Sequence, residues 1–147
     1  MFQHLLVPID GSELSERAAQ TSIGLAVKLG ARITGFVAEP LPPLPNEATG
    51  MVSYARKTEE HRERTEAHAR EVLARFAALC TEQGVAFKGE YKRTDGVDDA
   101  IVTAAKEFGC DLVVMVTHGR GAFGELLFGS HTKNVLSKSK LPVLVLH

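Results

Sequence analysis

The chain has 147 residues, of which 44% are hydrophobic and 24% charged, with a formal net charge of −1. This length suits one domain with a real core, and the composition excludes a disordered chain, a collagen repeat and a coiled coil. So balanced a charge gives no reason to expect nucleic acid or an anionic membrane as a partner. Two cysteines, Cys80 and Cys110, support neither a disulfide framework nor a thiolate metal site, and are expected as small buried hydrophobes. The N-terminus MFQHLLVPIDGSE has no basic n-region, and no apolar run approaches the roughly 18 residues that span a bilayer, so a cytoplasmic protein is expected.

Leu5 to Ile9 form a continuous apolar run, which predicts a strand buried on both faces. Asp10, Gly11 and Ser12 break it. Ser12 predicts the N-cap of a helix with Glu13 and Glu16 in its first turn. Leu14, Ala18, Leu25 and Leu29 form its expected apolar face, and Gly30 its left-handed C-terminal cap. A second strand is predicted from Arg32 to Ala38. Pro40, Pro42, Pro43 and Pro45 exclude helix and central strand, so residues 40 to 50 are expected as a stiff surface loop. A long helix is predicted from Met51 to Gln83. Its first half is polar, with charges from Arg56 to Arg75 suited to i,i+4 pairing and with His61 and His68 expected in solvent. Its second half carries the stripe Val72, Leu73, Phe76, Leu79 and Cys80.

A third strand, Ala86 to Arg93, alternates Phe87 and Tyr91 with Lys88, Glu90 and Lys92, which suits a sheet edge. A short helix from Val97 to Phe108 rests on Val97, Ile101, Ala104, Ala105 and Phe108. Leu112 to Val116 form another buried strand. The glycine-rich stretch THGRGAFGELLFGS follows, then a helix from Ser130 to about Ser139 and a last strand from Val143 to Leu146. Strands alternating with helices imply α/β architecture: a doubly wound parallel sheet with helices on both faces. Such sheets bind ligands beyond the carboxyl ends of their strands, where the winding reverses. Two segments there hold unusual chemistry: Asp10-Gly11-Ser12, and residues 117 to 132.

Glycines in the second segment let backbone N–H groups approach an anion, and the helix starting at Ser130 offers free N–H groups and a positive dipole end. Arg120 and Lys133 add positive charge. Tight turning alone is the alternative use of such a loop. It is not a Walker A loop, since no GKS or GKT follows. Gly119, Gly121 and Gly124 match dinucleotide spacing but follow the fourth strand, not the first.

Three segments, LLVPIDGSELSERA, DLVVMVTHGRGAFGELLFGSHTKNVL and KLPVLVL, resemble the universal stress protein family, and the resemblance covers essentially the whole chain. It implies a five-stranded parallel sheet of order 3-2-1-4-5. It also implies the nucleotide motif G-x2-G-x9-G-[ST], here with Val116 in place of the first glycine, then Gly119, Gly129 and Ser130. The resemblance places Pro8, Ile9 and Asp10 near ribose and metal, with an Asx turn as the alternative role of Asp10. It gives the backbone of Val37 the adenine edge. Val116, Thr117 and His118 follow on the nucleotide. Gly119, Arg120 and Gly121 would line the phosphates, and Ser130, His131 and Thr132 would hold the terminal one. Asp10 would share a Mg²⁺ with the phosphates. His118 and His131 lack ligand partners at metal spacing and read as polar groups facing ligand or solvent.

The implied protein binds ATP or ADP and acts as a stress-linked regulator. No catalytic residue is assigned: Arg120 offers an electrophile but no base is evident, so hydrolysis would be slow at most. One alternative is a dimeric interaction module that has lost nucleotide binding, favoured by Val116. Another is an adenylate-transferring enzyme on a related fold, disfavoured because DGSE offers a single glycine. The last strand is apolar and, in the implied order, lies at an edge, so a homodimer through residues 142 to 146 is expected.

Overall fold

The computed structural model describes residues 1–117 and 130–147. In chain order these form β1 (His4–Pro8), α1 (Glu13–Leu29), β2 (Arg32–Glu39), α2 (Met51–Glu82), β3 (Phe87–Arg93), α3 (Val97–Glu107), β4 (Leu112–Val116), α4 (Ser130–Lys138) and β5 (Val143–Leu146). The strands pair in parallel in the order β3-β2-β1-β4-β5. Leu5 pairs with Ile33 on one side and Leu112 on the other. The central strand is therefore flanked by strands on both sides, and Leu5, Leu6 and Val7 are fully buried. Of the two edges, β3 is half-polar as its alternation predicts, and β5 is apolar but partly exposed.

Two cores sit on opposite faces of the sheet. Leu5, Val7, Ile33, Val37 and Val114 pack under α1 and α2 with Ile23, Val72 and Phe76. Leu6, Phe36, Val113 and Met115 pack under α3 and α4 with Ile101, Ala104 and Val135. This separation follows from the period of two along each strand. Both cysteines are free and buried, and burial pushes each thiol up to about 11, so neither is a nucleophile at neutral pH.

Ser12 caps α1 by accepting the Ser15 N–H at 3.3 Å, and Gly30 ends it at φ 64°. The buried face of α1 differs from the expected one. Ser15, Ala18, Ala19, Ser22, Ile23 and Ala26 face the sheet, while Leu14 is 39% exposed and Leu25 and Leu29 lie at the margin. Small side chains allow the helix to lie close to β1 and β4, a requirement that hydrophobicity alone does not encode. His68 is exposed as expected and His61 half-buried, and both also tie α2 to the end of β2. His61 Nε2 donates to the Pro40 carbonyl at 2.9 Å, and His68 Nδ1 to the buried Glu39 carboxylate at 2.6 Å. The i,i+4 pairs Arg56–Glu60, Arg70–Glu66 and Arg75–Glu71 form as the charge pattern predicts.

Candidate functional site

The sheet reverses its winding at β1, with β2 on one side and β4 on the other. α1, which follows β1, packs on one face of the sheet and α4, which follows β4 in chain order, on the other, which opens a crevice at the carboxyl ends of the strands. A cleft of about 380 Å³ lies at this point. One wall is Pro8, Ile9, Asp10 and Ser12. The floor is Phe36, Ala38 and Met115, and the far side is Val97, Ile101, Val116 and His131. The cleft is mostly apolar with a few polar groups at its rim, as small-molecule sites usually are.

The loop from β1 to α1 is held by one hydroxyl. Ser15 Oγ accepts from the N–H groups of Gly11 at 3.1 Å and Asp10 at 3.3 Å, and donates to the Ser12 carbonyl at 3.1 Å. That uses its single donor and both acceptor positions. Asp10 is exposed, and its Oδ1 accepts the Ser12 N–H at 2.9 Å. The Asx turn weighed for Asp10 therefore forms, while its carboxylate stands on the cleft wall. Gly11 has φ 83°, and a Cβ there would come within 2.8 Å of Val72 Cγ2 and 3.2 Å of His68 Nε2. The loop thus lies directly against α2, and only glycine fits both the angle and the space.

The opposite wall is built from β4 and α4. Thr117 is buried, and its N–H donates to the Leu146 carbonyl at 2.9 Å, extending the β4–β5 pairing. Thr132 is also buried, and its hydroxyl donates to the Val116 carbonyl at 3.3 Å, fixing the start of α4 against the end of β4. His131 is exposed on the rim and its Nδ1 donates to Asp98 Oδ1 at 2.5 Å. Asn134 holds the other Asp98 oxygen at 2.7 Å. Among the described residues, no three His, Cys, Asp or Glu side chains gather as a metal site.

Of the residues singled out from sequence, Pro8, Ile9, Asp10, Val116 and His131 meet in the cleft. Ser130 is exposed as the first residue of α4. Thr117 and Thr132 stand behind the wall with their hydroxyls committed to backbone. Val37 is buried in the core beneath α1 and α2, so only its backbone is available to a ligand. His118, Gly119, Arg120, Gly121 and Gly129 lie outside the described residues. Alternation along β4 puts Val116 on the face of Leu112 and Val114, and the residue is half-buried where it lines the cleft. Sequence reasoning missed Ser15, which pins the loop, and the floor residues Phe36, Ala38 and Met115. The floor was readable in principle, since Phe36 and Met115 share the α3 face with Leu6.

The chain matches the model of the Universal stress protein family over residues 1–147. It is 30% identical over 145 residues to a universal stress protein from Thermus aquaticus, covering 99% of this chain and 98% of that one. The solved structure of protein MJ0577, from Methanocaldococcus jannaschii, superposes with a TM-score of 0.81 at 23% identity, covering 99% and 96% of the two chains. That of a universal stress protein from Archaeoglobus fulgidus in complex with dAMP superposes with a TM-score of 0.65 at 18% identity, covering 100% and 98%. No helix among the described residues is long and apolar enough to cross a membrane. With a family model matched from end to end, a relative 30% identical over nearly the whole of both chains and a fold shared with the solved structures, the chain belongs to the universal stress protein family.

Proposed function

We propose that the cleft binds an adenine nucleotide, ATP or ADP, and that the protein acts as a nucleotide-responsive regulator. The observation that carries this reading is the junction of an apolar cleft with the start of α4 at the reversal of the sheet. Phe36, Ala38, Ile101 and Met115 suit a purine, and the N-terminus of α4 suits a phosphate. The dAMP bound by the Archaeoglobus relative supports the same ligand class. Asp10 is the described carboxylate on the cleft wall, so a Mg²⁺ would take most of its ligands from phosphates and water, as this ion prefers. When bound, it would neutralise phosphate charge. Hydrolysis, if any, would be slow, and regulation rather than turnover is the assigned role. Denaturing the purified protein and chromatographing the supernatant should release an adenine nucleotide, and titration with ATP or ADP should saturate at one site per chain.

We further propose a homodimer through β5. Among the described residues this strand pairs with β4 alone and leaves Leu144 38% exposed at the sheet edge, and such an edge favours two-fold pairing. Light scattering at micromolar concentration should give twice the 15.9 kDa chain mass. Val116 on the cleft wall favours one other reading, a dimeric interaction module without nucleotide. Absence of both released nucleotide and titratable binding would select it.

A further inference from the structure

The segment that joins β2 to α2 lines no part of the cleft, yet its backbone is tightly restricted. In Pro40-Leu41-Pro42-Pro43-Leu44-Pro45 every residue either is a proline or directly precedes one. Proline fixes φ at about −65°, and the residue before a proline is kept out of the helical region. With the peptide bonds trans, both constraints select polyproline II, a left-handed ribbon of about three residues per turn. The ribbon is held at both ends. The Glu39 carbonyl accepts the Thr94 N–H at 2.8 Å, the Pro40 carbonyl accepts from His61 at 2.9 Å, and the Leu41 N–H donates to Asp95 at 3.1 Å. At the far end Asn46 Oδ1 accepts the Thr49 hydroxyl at 2.6 Å and the Ala48 N–H at 3.2 Å, in a turn that leads into α2.

A ribbon with this period has three edges: Pro40 with Pro43, Leu41 with Leu44, and Pro42 with Pro45. Pro42 is half-buried, whereas Pro40, Leu41, Pro43 and Leu44 are exposed, Leu44 to 89%. Two adjacent edges therefore face outward along the ribbon. Among the described residues, no hydrogen bond reaches the carbonyls of residues 41 to 45. We propose that residues 40–45 are a recognition segment for a partner protein whose surface groove is lined by Trp and Tyr side chains. Such grooves take proline ribbons because flat rings pack on the open proline and leucine edges, while Trp N–H and Tyr O–H groups donate to the ribbon carbonyls. The ribbon is ordered before it docks, so docking costs little conformational entropy. Asp95 and Glu47, both exposed, place carboxylates at its two ends, which suits a groove with basic residues at its rim. A stiff connection alone would use the prolines but has no need of two leucines on an open edge. Docking here is independent of what the cleft binds.

The chain has no tryptophan, so tryptophan emission reports the partner alone. The test is titration of the full chain into purified SH3 and WW domains, whose grooves recognise proline ribbons through such side chains. A saturable emission shift is expected with at least one of them. Leu44→Ala should weaken that binding about five- to tenfold, because a leucine side chain leaves the contact. Pro43→Ala should weaken it about threefold, because the free ribbon becomes looser. The Leu44 side chain is exposed, so the urea midpoint of Leu44→Ala should stay level. Val27→Ala, at a residue 51% exposed on α1, should leave the affinity unchanged. No shift with any of the domains, or equal affinity of the wild type, Leu44→Ala and Pro43→Ala, would overturn the proposal. Met51 and Val52 are exposed beside the segment, so the chain is also mixed with vesicles of phosphatidylcholine and phosphatidylserine. No co-sedimentation is expected, and co-sedimentation lost in Leu44→Ala would assign the segment to a lipid surface instead.

Discussion

Two hollows of similar size lie at opposite ends of the same sheet. The cleft at the carboxyl ends measures about 380 Å³, and a second hollow of about 430 Å³ lies at the amino ends, lined by His4, Arg32, Thr34 and Lys88 among others. The larger one is not the functional candidate, and the reason is direction. Every helix that follows a strand in a parallel sheet starts at the carboxyl end, so α1, α3 and α4 bring free N–H groups and positive dipole ends toward the cleft. The amino end receives helix C-termini instead. Several polar groups there are also spent on the fold. Asp111 accepts the N–H groups of Gln3 at 2.8 Å and His4 at 3.0 Å, His4 Nε2 pairs with Thr34 Oγ1 at 2.8 Å, and Lys88 pairs with Glu90 at 2.8 Å. Size does not distinguish the two hollows, whereas orientation of the backbone does.

The sharpest way to break the contrast is to damage each end separately. At the carboxyl end, Gly11→Val places a branched side chain at φ 83° and drives its Cβ into Val72. The loss should be about 3 kcal/mol in a urea titration, with nucleotide binding lost as the loop is displaced. At the amino end, Asp111→Ala leaves the Gln3 and His4 N–H groups without their acceptor. It should cost about 2 kcal/mol yet leave nucleotide affinity unchanged. A matching fall in affinity would show that the two ends are coupled.

Acid should act first on the amino end. Burial, reinforced by Arg32, holds the His4 imidazole below its usual range. The unfolded chain therefore binds more protons, so the stability contributed by neutral His4 is full above about pH 6.5 and declines as pH falls. His4→Gln should flatten the urea midpoint between about pH 7 and the folded value of His4. Asp111 acts lower on the scale. Burial pushes its carboxyl up, but the backbone N–H groups of Gln3 and His4 outweigh this and hold it below the usual carboxylate range. Its contribution is full above about pH 4 and disappears as pH falls through the depressed value. An Asp111→Ala chain should lack that second step.

Most of this arrangement was legible in the sequence because it is local. Ser12, Gly30 and the alternation of β3 declare a cap, a stop and an edge within a few residues. The apolar runs at Leu5 and Leu112 declare the buried centre of the sheet. What stayed hidden joins residues far apart in the chain. Glu39 meets His68, Asp98 meets His131, and Asp111 clamps Gln3 and His4 across more than 100 positions. Histidines on a polar helix face look solvated until the strand end beneath them is known. The buried face of α1 was misjudged for a different reason: close helix–sheet approach selects small residues, and Ser15 and Ser22 do not register as apolar. In the site, Asp10 and Val116 were legible as strand-end residues, whereas Ser15 becomes visible only when its three hydrogen bonds are traced.

Val116 gives the smallest expected effect and the finest test of what the cleft is for. It ends β4, pairs with Leu146, and lines the cleft half-buried. Its side chain thus serves packing and narrows the ligand space together. Val116→Gly should separate the two. Removing the isopropyl group from a strand end and adding backbone freedom should lower stability by about 1 kcal/mol. Removing it from the cleft wall should tighten ATP or ADP binding about three- to fivefold, since less than 1 kcal/mol of crowding is relieved. The two changes have opposite signs, so a generally loosened protein cannot imitate them. Lower stability with unchanged or weaker affinity would mean that the valine packs the strand end without restricting the ligand.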